Sequence, residues 1–151
     1  MRSGYMIAVV VSGLMSAAAF SAGCGGERQA YVEINGRRWD VELAVTRDQQ
    51  YLGMAGREEA PAGTGMLFVF RESEPHEFVM RGCLVPLDIA FIDADRRIVA
   101  IHTMEVEPDL VGRKRYPSGE PAKYALEVAG GALAEAGVKV GDEVKFSRGI
   151  D

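Results

Sequence analysis

Catalytic signatures are what this sequence has least of. It contains no GxGxxG or phosphate-gripping glycine loop, no GxSxG turn around any serine and no HExxH pair. Dinucleotide binding, α/β-hydrolase chemistry and zinc-peptidase chemistry therefore lack their usual frames. Cysteine and histidine are scarce too, two of each in 151 residues, which excludes a disulfide scaffold. Basic charge is in deficit: 17 Lys and Arg stand against 22 Asp and Glu, for a net charge of −5. The longest basic run is Arg113-Lys114-Arg115, so nucleic acid is not an expected partner. No cofactor is expected either.

What is present begins with an export leader. A basic Arg2 precedes an apolar stretch from Tyr5 to about Phe20, and the small residues Ser21, Ala22 and Gly23 lead into Cys24. That order of charge, apolar core and small-residue exit marks a signal peptide. Ser21-Ala22-Gly23-Cys24 resembles the bacterial lipobox, departing from it at Ser21, where leucine is usual. The resemblance implies a cysteine that carries lipid. The expected organisation is a lipoprotein-type signal peptide over 1–23, a polar tether over 24–29 and one domain over 30–148. The membrane is then a partner through Cys24, and the domain faces the periplasm or the cell exterior as a monomer. Two alternatives stay open: an uncleaved apolar anchor, and a Cys24–Cys83 disulfide in an oxidising compartment.

Local patterns within the domain predict short strands. Asn35-Gly36 interrupts an alternating run over 31–45 and predicts a hairpin. Thr46-Arg47-Asp48-Gln49 reads as a capping box, opening a helix of about two turns that reaches Met54 or Gly56 and docks through Leu52 and Met54. Strands are expected over 66–70, 77–81, 87–92, 97–104, 124–128 and the end of 138–146, with a second short helix over 131–137. Residues 105–122 hold three prolines and two glycines and read as a surface excursion suited to a binding site. The sum is a mainly β protein, α+β by count. A small antiparallel sandwich or open barrel with two short peripheral helices fits best.

Asp88 is the most conspicuous polar residue, set between Leu87 and Ile89. Alternation places Leu87, Ile89 and Phe91 on one face and Asp88, Ala90 and Ile92 on the other. An unpaired carboxylate against an apolar wall costs several kcal/mol or takes up a proton. Asp88 should therefore find a cation such as Arg71, Arg81 or Lys123, or backbone amides. Tyr116, Ser118, Lys123 and Tyr124 combine aromatic faces, a hydroxyl and a cation, a mixture that suits a small polar ligand. His76, Met80, Cys83, His102 and Met104 offer soft donors of the Cu(I) type. They lack a repeated spacing, so no metal site is assigned and His76, Cys83 and His102 stay weak candidates.

In combination these blocks resemble the domain of unknown function 192 family (DUF192, also UPF0127), across roughly residues 30–148. Gly53-Met54, Arg57 and Pro61 lead into Gly65-Met66-Leu67-Phe68-Val69-Phe70. Phe78, Met80 and Pro86 through Ile92 form a second block. Tyr116, Ser118, Pro121 through Tyr124, Leu126 and Glu127 form a third, and Gly137, Val138, Gly141 and Asp142 a fourth. The family usually reads tryptophan–methionine–lysine–asparagine–threonine where this chain has Val79-Met80-Arg81-Gly82-Cys83, so a site using that amide and hydroxyl is altered here. The resemblance implies a compact β-rich fold, often exported or lipid-anchored, and brings no established activity.

Candidate pocket residues are thus Arg57, Met80, Arg81, Asp88, Tyr116, Ser118, Lys123 and Glu127, with Asp88 on a cation beneath loops 57–65 and 105–122. The expected function is binding of a small polar ligand or envelope component. The alternative is a hydrolase or lyase on envelope carbohydrate, with Asp88 as acid or base and Glu127 or His76 as its partner. That chemistry needs two groups around one cavity.

Overall fold

Asn35 (φ 52°) and Gly36 (φ 77°) turn the chain between β1 (Tyr31–Ile34) and β2 (Arg37–Ala44), as a two-residue hairpin requires. The computed structural model describes residues 29–150. The signal peptide, Cys24 and most of the tether lie outside the described residues. The capping box forms as expected: Gln49 N–H donates to Thr46 Oγ1 at 3.2 Å, and Thr46 N–H donates to Gln49 Oε1 at 2.9 Å. Helix α1 (Arg47–Leu52) is shorter than the sequence suggests, and Gly53 closes it with φ 52° and ψ −134°. Leu52 does not dock, being 63% exposed; Met54, just past the helix, is buried.

The remaining elements are β3 (Thr64–Glu74), β4 (Glu77–Phe78), β5 (Leu87–Ile92), β6 (Ile98–Met104), β7 (Tyr116–Pro117), β8 (Ala122–Ala129), α2 (Ala132–Glu135) and β9 (Val144–Phe146). Seven strands form one sheet in the order β6, β5, β8, β3, β2, β1, β9. All neighbours are antiparallel except β2 and β3, which run parallel because α1 carries the chain across between them. The sheet curls into a half-barrel whose edges meet at one end. There Arg97 bridges to Glu143, and Ile98 N–H donates to the Asp142 carbonyl at 3.1 Å. The mainly β open-barrel expectation holds.

The long excursion is not wholly irregular. Its Tyr116–Pro117 strand pairs with β4, matching Phe78 to Tyr116, and only Glu77 and Phe78 of the strand expected over 77–81 are extended. The final strand is likewise limited to three residues.

Apolar residues cover both faces of the sheet. Val32 and Ile34 of β1, Val144 of β9 and Ile98 of β6 share one cluster with Trp39, Leu126 and Leu133. Side chains from opposite sheet edges meet there, so this is the inside of the curl, closed by α2. Ala44, Met66, Phe68, Met80, Leu87, Ile89 and Phe91 form a second cluster on the outer face. It is covered by Met54, Cys83 and Tyr116 from outside the sheet. Fully buried side chains such as Phe68 and Met80 contribute about 1.5–3 kcal/mol each. This two-sided burial explains why β5 and the centre of β8 read as continuous apolar runs.

Candidate functional site

Glu127 interrupts the apolar run of β8. Register places it between Met66 of β3 and Ile89 of β5, with Glu42 of β2 beyond Met66. Side chains matched across strands share a face, so these four lie on the outer side of the curl. Glu127 is 4% exposed, and its Oε2 has no hydrogen-bond partner. Burial pushes its carboxyl up to about 8, opposed only in part by the Arg57 charge. Arg57 is committed elsewhere: its Nη1 and Nη2 donate to Glu42 at 2.7 and 2.8 Å. That fork holds Glu42 below and Arg57 above their ordinary values.

A cleft of about 210 Å³ opens over Glu127, between the α1 end and the 77–83 segment. Tyr51, Gly53, Met54, Phe68, Phe78, Val79, Arg81 and Cys83 are among its lining residues. Gly53 is needed here. A Cβ at that position would stand 3.4 Å from the Phe68 ring and 3.8 Å from Glu127 Oε2, at a backbone angle L side chains rarely adopt. At the mouth, the Arg81 guanidinium lies 3.8 Å over the Tyr51 ring and donates through Nη2 to the Tyr51 carbonyl at 2.8 Å. Cys83 is a free, buried thiol. Burial raises it to about 11, the Glu127 charge adds to the rise and the Arg81 charge opposes it. The thiol therefore senses both poles of the cleft.

The cleft thus offers a carboxyl at its floor, apolar and aromatic walls, and a cation at its mouth. An isolated acid poised near neutrality can donate a hydrogen bond when protonated, or pair with a cation when ionised.

The expected pocket residues divide between this cleft and other places. Arg81 and Glu127 line it, Arg57 acts on it through its charge, and Met80 packs in the outer core beside it. Asp88 is elsewhere, and its expected cation is corrected. The carboxylate, 1% exposed, points into the curl, where Oδ1 accepts from Thr103 Oγ1 at 2.9 Å and Oδ2 from the Leu133 N–H at 3.0 Å. Leu133 lies in the first turn of α2, so Asp88 caps a helix. Asp88 and Glu127 lie on opposite faces of the sheet, and no shared acid–base cavity joins them.

The remaining candidates serve the fold. Ser118 Oγ accepts from the His76 N–H at 3.0 Å and donates to the Glu120 carbonyl at 2.7 Å. Lys123 Nζ donates to the Arg71 carbonyl at 2.8 Å. Tyr116 is buried, with its hydroxyl accepting from the Glu105 N–H at 3.4 Å. The roof also differs from expectation, since α1 and the 77–83 segment cover the cleft instead of loops 57–65 and 105–122. His76 stacks on Phe70 at 3.6 Å, and burial lowers its pKa. His102 Nε2 lies 2.7 Å from the Pro117 carbonyl. Among the described residues no group of three or more His, Cys, Asp or Glu converges as a metal site.

Sequence reasoning missed Tyr51, Gly53, Phe68 and Phe78 as cleft residues. Gly53 and Phe68 carried a signal as parts of the first family block, and Phe78 as part of the second. The family departures at Val79, Arg81 and Cys83 all fall on the lining.

The DUF192 family, described as Uncharacterized ACR, matches residues 30–146. A protein of unknown function from Novosphingobium aromaticivorans has a similar solved structure, with TM-score 0.70 and 32% identity, covering 78% of this chain and 83% of that one. A provisionally named transcription regulator from Sinorhizobium meliloti is similar with TM-score 0.70 and 32% identity, over 78% of this chain and 92% of that one. Among curated proteins, none matches.

Proposed function

The chain belongs to the DUF192 family, and from that premise we propose that it is an exported, lipid-anchored envelope protein that binds a small polar ligand over Glu127. The unpartnered Glu127 Oε2 carries the ligand half of this reading. A buried polar atom left without a partner costs about 1–3 kcal/mol, and a bound ligand group that pairs with it recovers that cost. The leader and Cys24 support the envelope half. Regulation of transcription, attached to one relative by name, is not adopted: Arg113 and Arg115 of the basic run pair with Asp109 and Glu77. Nor is carbohydrate hydrolysis, because Asp88 has both oxygens occupied on the far face.

Two measurements on the full-length chain test this. Metabolic labelling with an alkyne fatty acid should mark the wild type and not Cys24→Ala, which should leave the membrane fraction. A thermal-shift screen of small polar molecules in mild detergent should find ligands that stabilise wild type and fail on Glu127→Gln. Equal labelling of both forms removes the lipid anchor. A screen in which nothing stabilises wild type removes the ligand.

A further inference from the structure

The cleft has two poles, and they restrict what fits. Glu127 Oε2 sits at the floor, 4% exposed and unpartnered, beside Gly53 and Phe68. Arg81 sits at the mouth, positioned by the Tyr51 ring and carbonyl. Phe68 and Phe78 form the wall, edge to face at 4.9 Å and 85°. We propose that the cleft binds a small zwitterion of the amino-acid class, its ammonium on Glu127, its carboxylate on Arg81 and its apolar part against Phe68 and Phe78. This rests on the ligand-binding reading above and goes further by naming the ligand class.

Three arguments select a zwitterion. An ammonium brings three N–H donors and a full charge to a desolvated carboxyl, whereas a hydroxyl or amide brings one or two donors and no charge. Organic cations also gain from aromatic side chains beside them. The opposite charge at Arg81 disfavours a plain amine and accommodates an acid, as guanidinium donors match carboxylate geometry. Size sets the third limit. A cavity of about 150 Å³ holds benzene, so about 210 Å³ takes one ligand of amino-acid size.

Binding in this mode is linked to protons. The titratable or charged groups around Glu127 are Arg57 with its partner Glu42, Cys83 and Arg81, and Glu77 at the rim, held by Arg115 at 2.7 Å. Met66 and Ile89, flanking Glu127 on the neighbouring strands, are apolar. Arrival of the ammonium ionises Glu127, and its proton leaves to solvent.

Calorimetry on the full-length chain in detergent tests this at pH 7, in phosphate and in Tris, whose ionisation enthalpies differ. The probes are leucine and phenylalanine in both enantiomers, their des-amino acids and their decarboxylated amines. At least one zwitterion should bind ten-fold or more tighter than either single-charge analogue and release close to one proton. Glu127→Gln should lose the proton release and at least ten-fold in affinity. Arg81→Met should weaken the zwitterion and the amine analogue should bind it more tightly than it binds wild type, and a melting curve of each variant reports its folding. Single-charge or uncharged ligands that bind as tightly, still through Glu127, overturn the zwitterion and leave the ligand-binding reading standing. No binding by any probe overturns the zwitterion, and failure of the wider screen as well overturns both.

Discussion

Asp88 on β5 and Glu127 on β8 are carboxyls of neighbouring strands with similar burial, 1% and 4% exposed. Their oxygens meet different surroundings. Asp88 faces the inside of the curl and is satisfied by a hydroxyl and a helix N–H. Glu127 faces outward into a cleft with one oxygen unpartnered and its proton held to about 8. A buried acid completed by its own chain holds elements together. One left incomplete lowers stability at neutral pH, and that cost is consistent with a site waiting for a ligand.

Four changes break or sharpen the contrast. The largest effect of a substitution is expected for Asp88→Ala, which leaves the buried Leu133 N–H unpaired and a void beside it, while the exposed Thr103 hydroxyl turns to water. One buried helix N–H left without its acceptor, together with the void, should cost about 2–4 kcal/mol, read as a lower urea midpoint. Stability against pH comes next. Glu127 binds its proton more tightly folded, at about 8, than at its ordinary 4.5. The folded chain therefore carries more protons than the unfolded one between these values, and stability is full below about 4.5. It falls as pH rises and levels off above about 8, a loss on the order of a few kcal/mol. Urea midpoints from pH 5 to 9 should show that slope in wild type, and Glu127→Gln should flatten it.

Gly65→Ala tests the backbone that holds Glu127 in register. Its Cβ would come within 2.5 Å of the Glu127 carbonyl oxygen and 2.9 Å of the Val128 side chain. A melting shift equivalent to about 1–3 kcal/mol follows from such overpacking. The smallest change in stability belongs to Arg57→Ala. The Arg57–Glu42 pair is substantially exposed, so less than about 1 kcal/mol is expected. Glu127 should nonetheless titrate higher once the nearest opposing charge is gone, which carbon NMR of its carboxyl would read.

Features encoded by neighbouring residues were legible in the sequence. The Asn35-Gly36 turn and the Thr46–Gln49 box are local chemistry, and the alternation along 87–92 assigned each β5 side chain to its face. Features encoded by distant pairs were not. The parallel β2–β3 pairing depends on where a six-residue helix sends the chain, and β4 meets β7 across 38 residues, with no pattern in either segment to announce it. Asp88 was expected to meet a cation or backbone amides, and the helix amide it does meet, 45 positions later, leaves no mark on composition that would have chosen between them. Glu127 was named without its setting, since the residues that enclose it, Tyr51 with Gly53, Phe68 and Phe78, come from three separate stretches.

The position of Cys83 has a consequence for redox chemistry. Thiol–disulfide exchange and alkylation run through the thiolate, and a thiol held near 11 is ionised in roughly one molecule in ten thousand at pH 7. In the proposed envelope setting, where an exposed cysteine would be captured readily by oxidants, the burial that raises the Cys83 thiol slows that reaction.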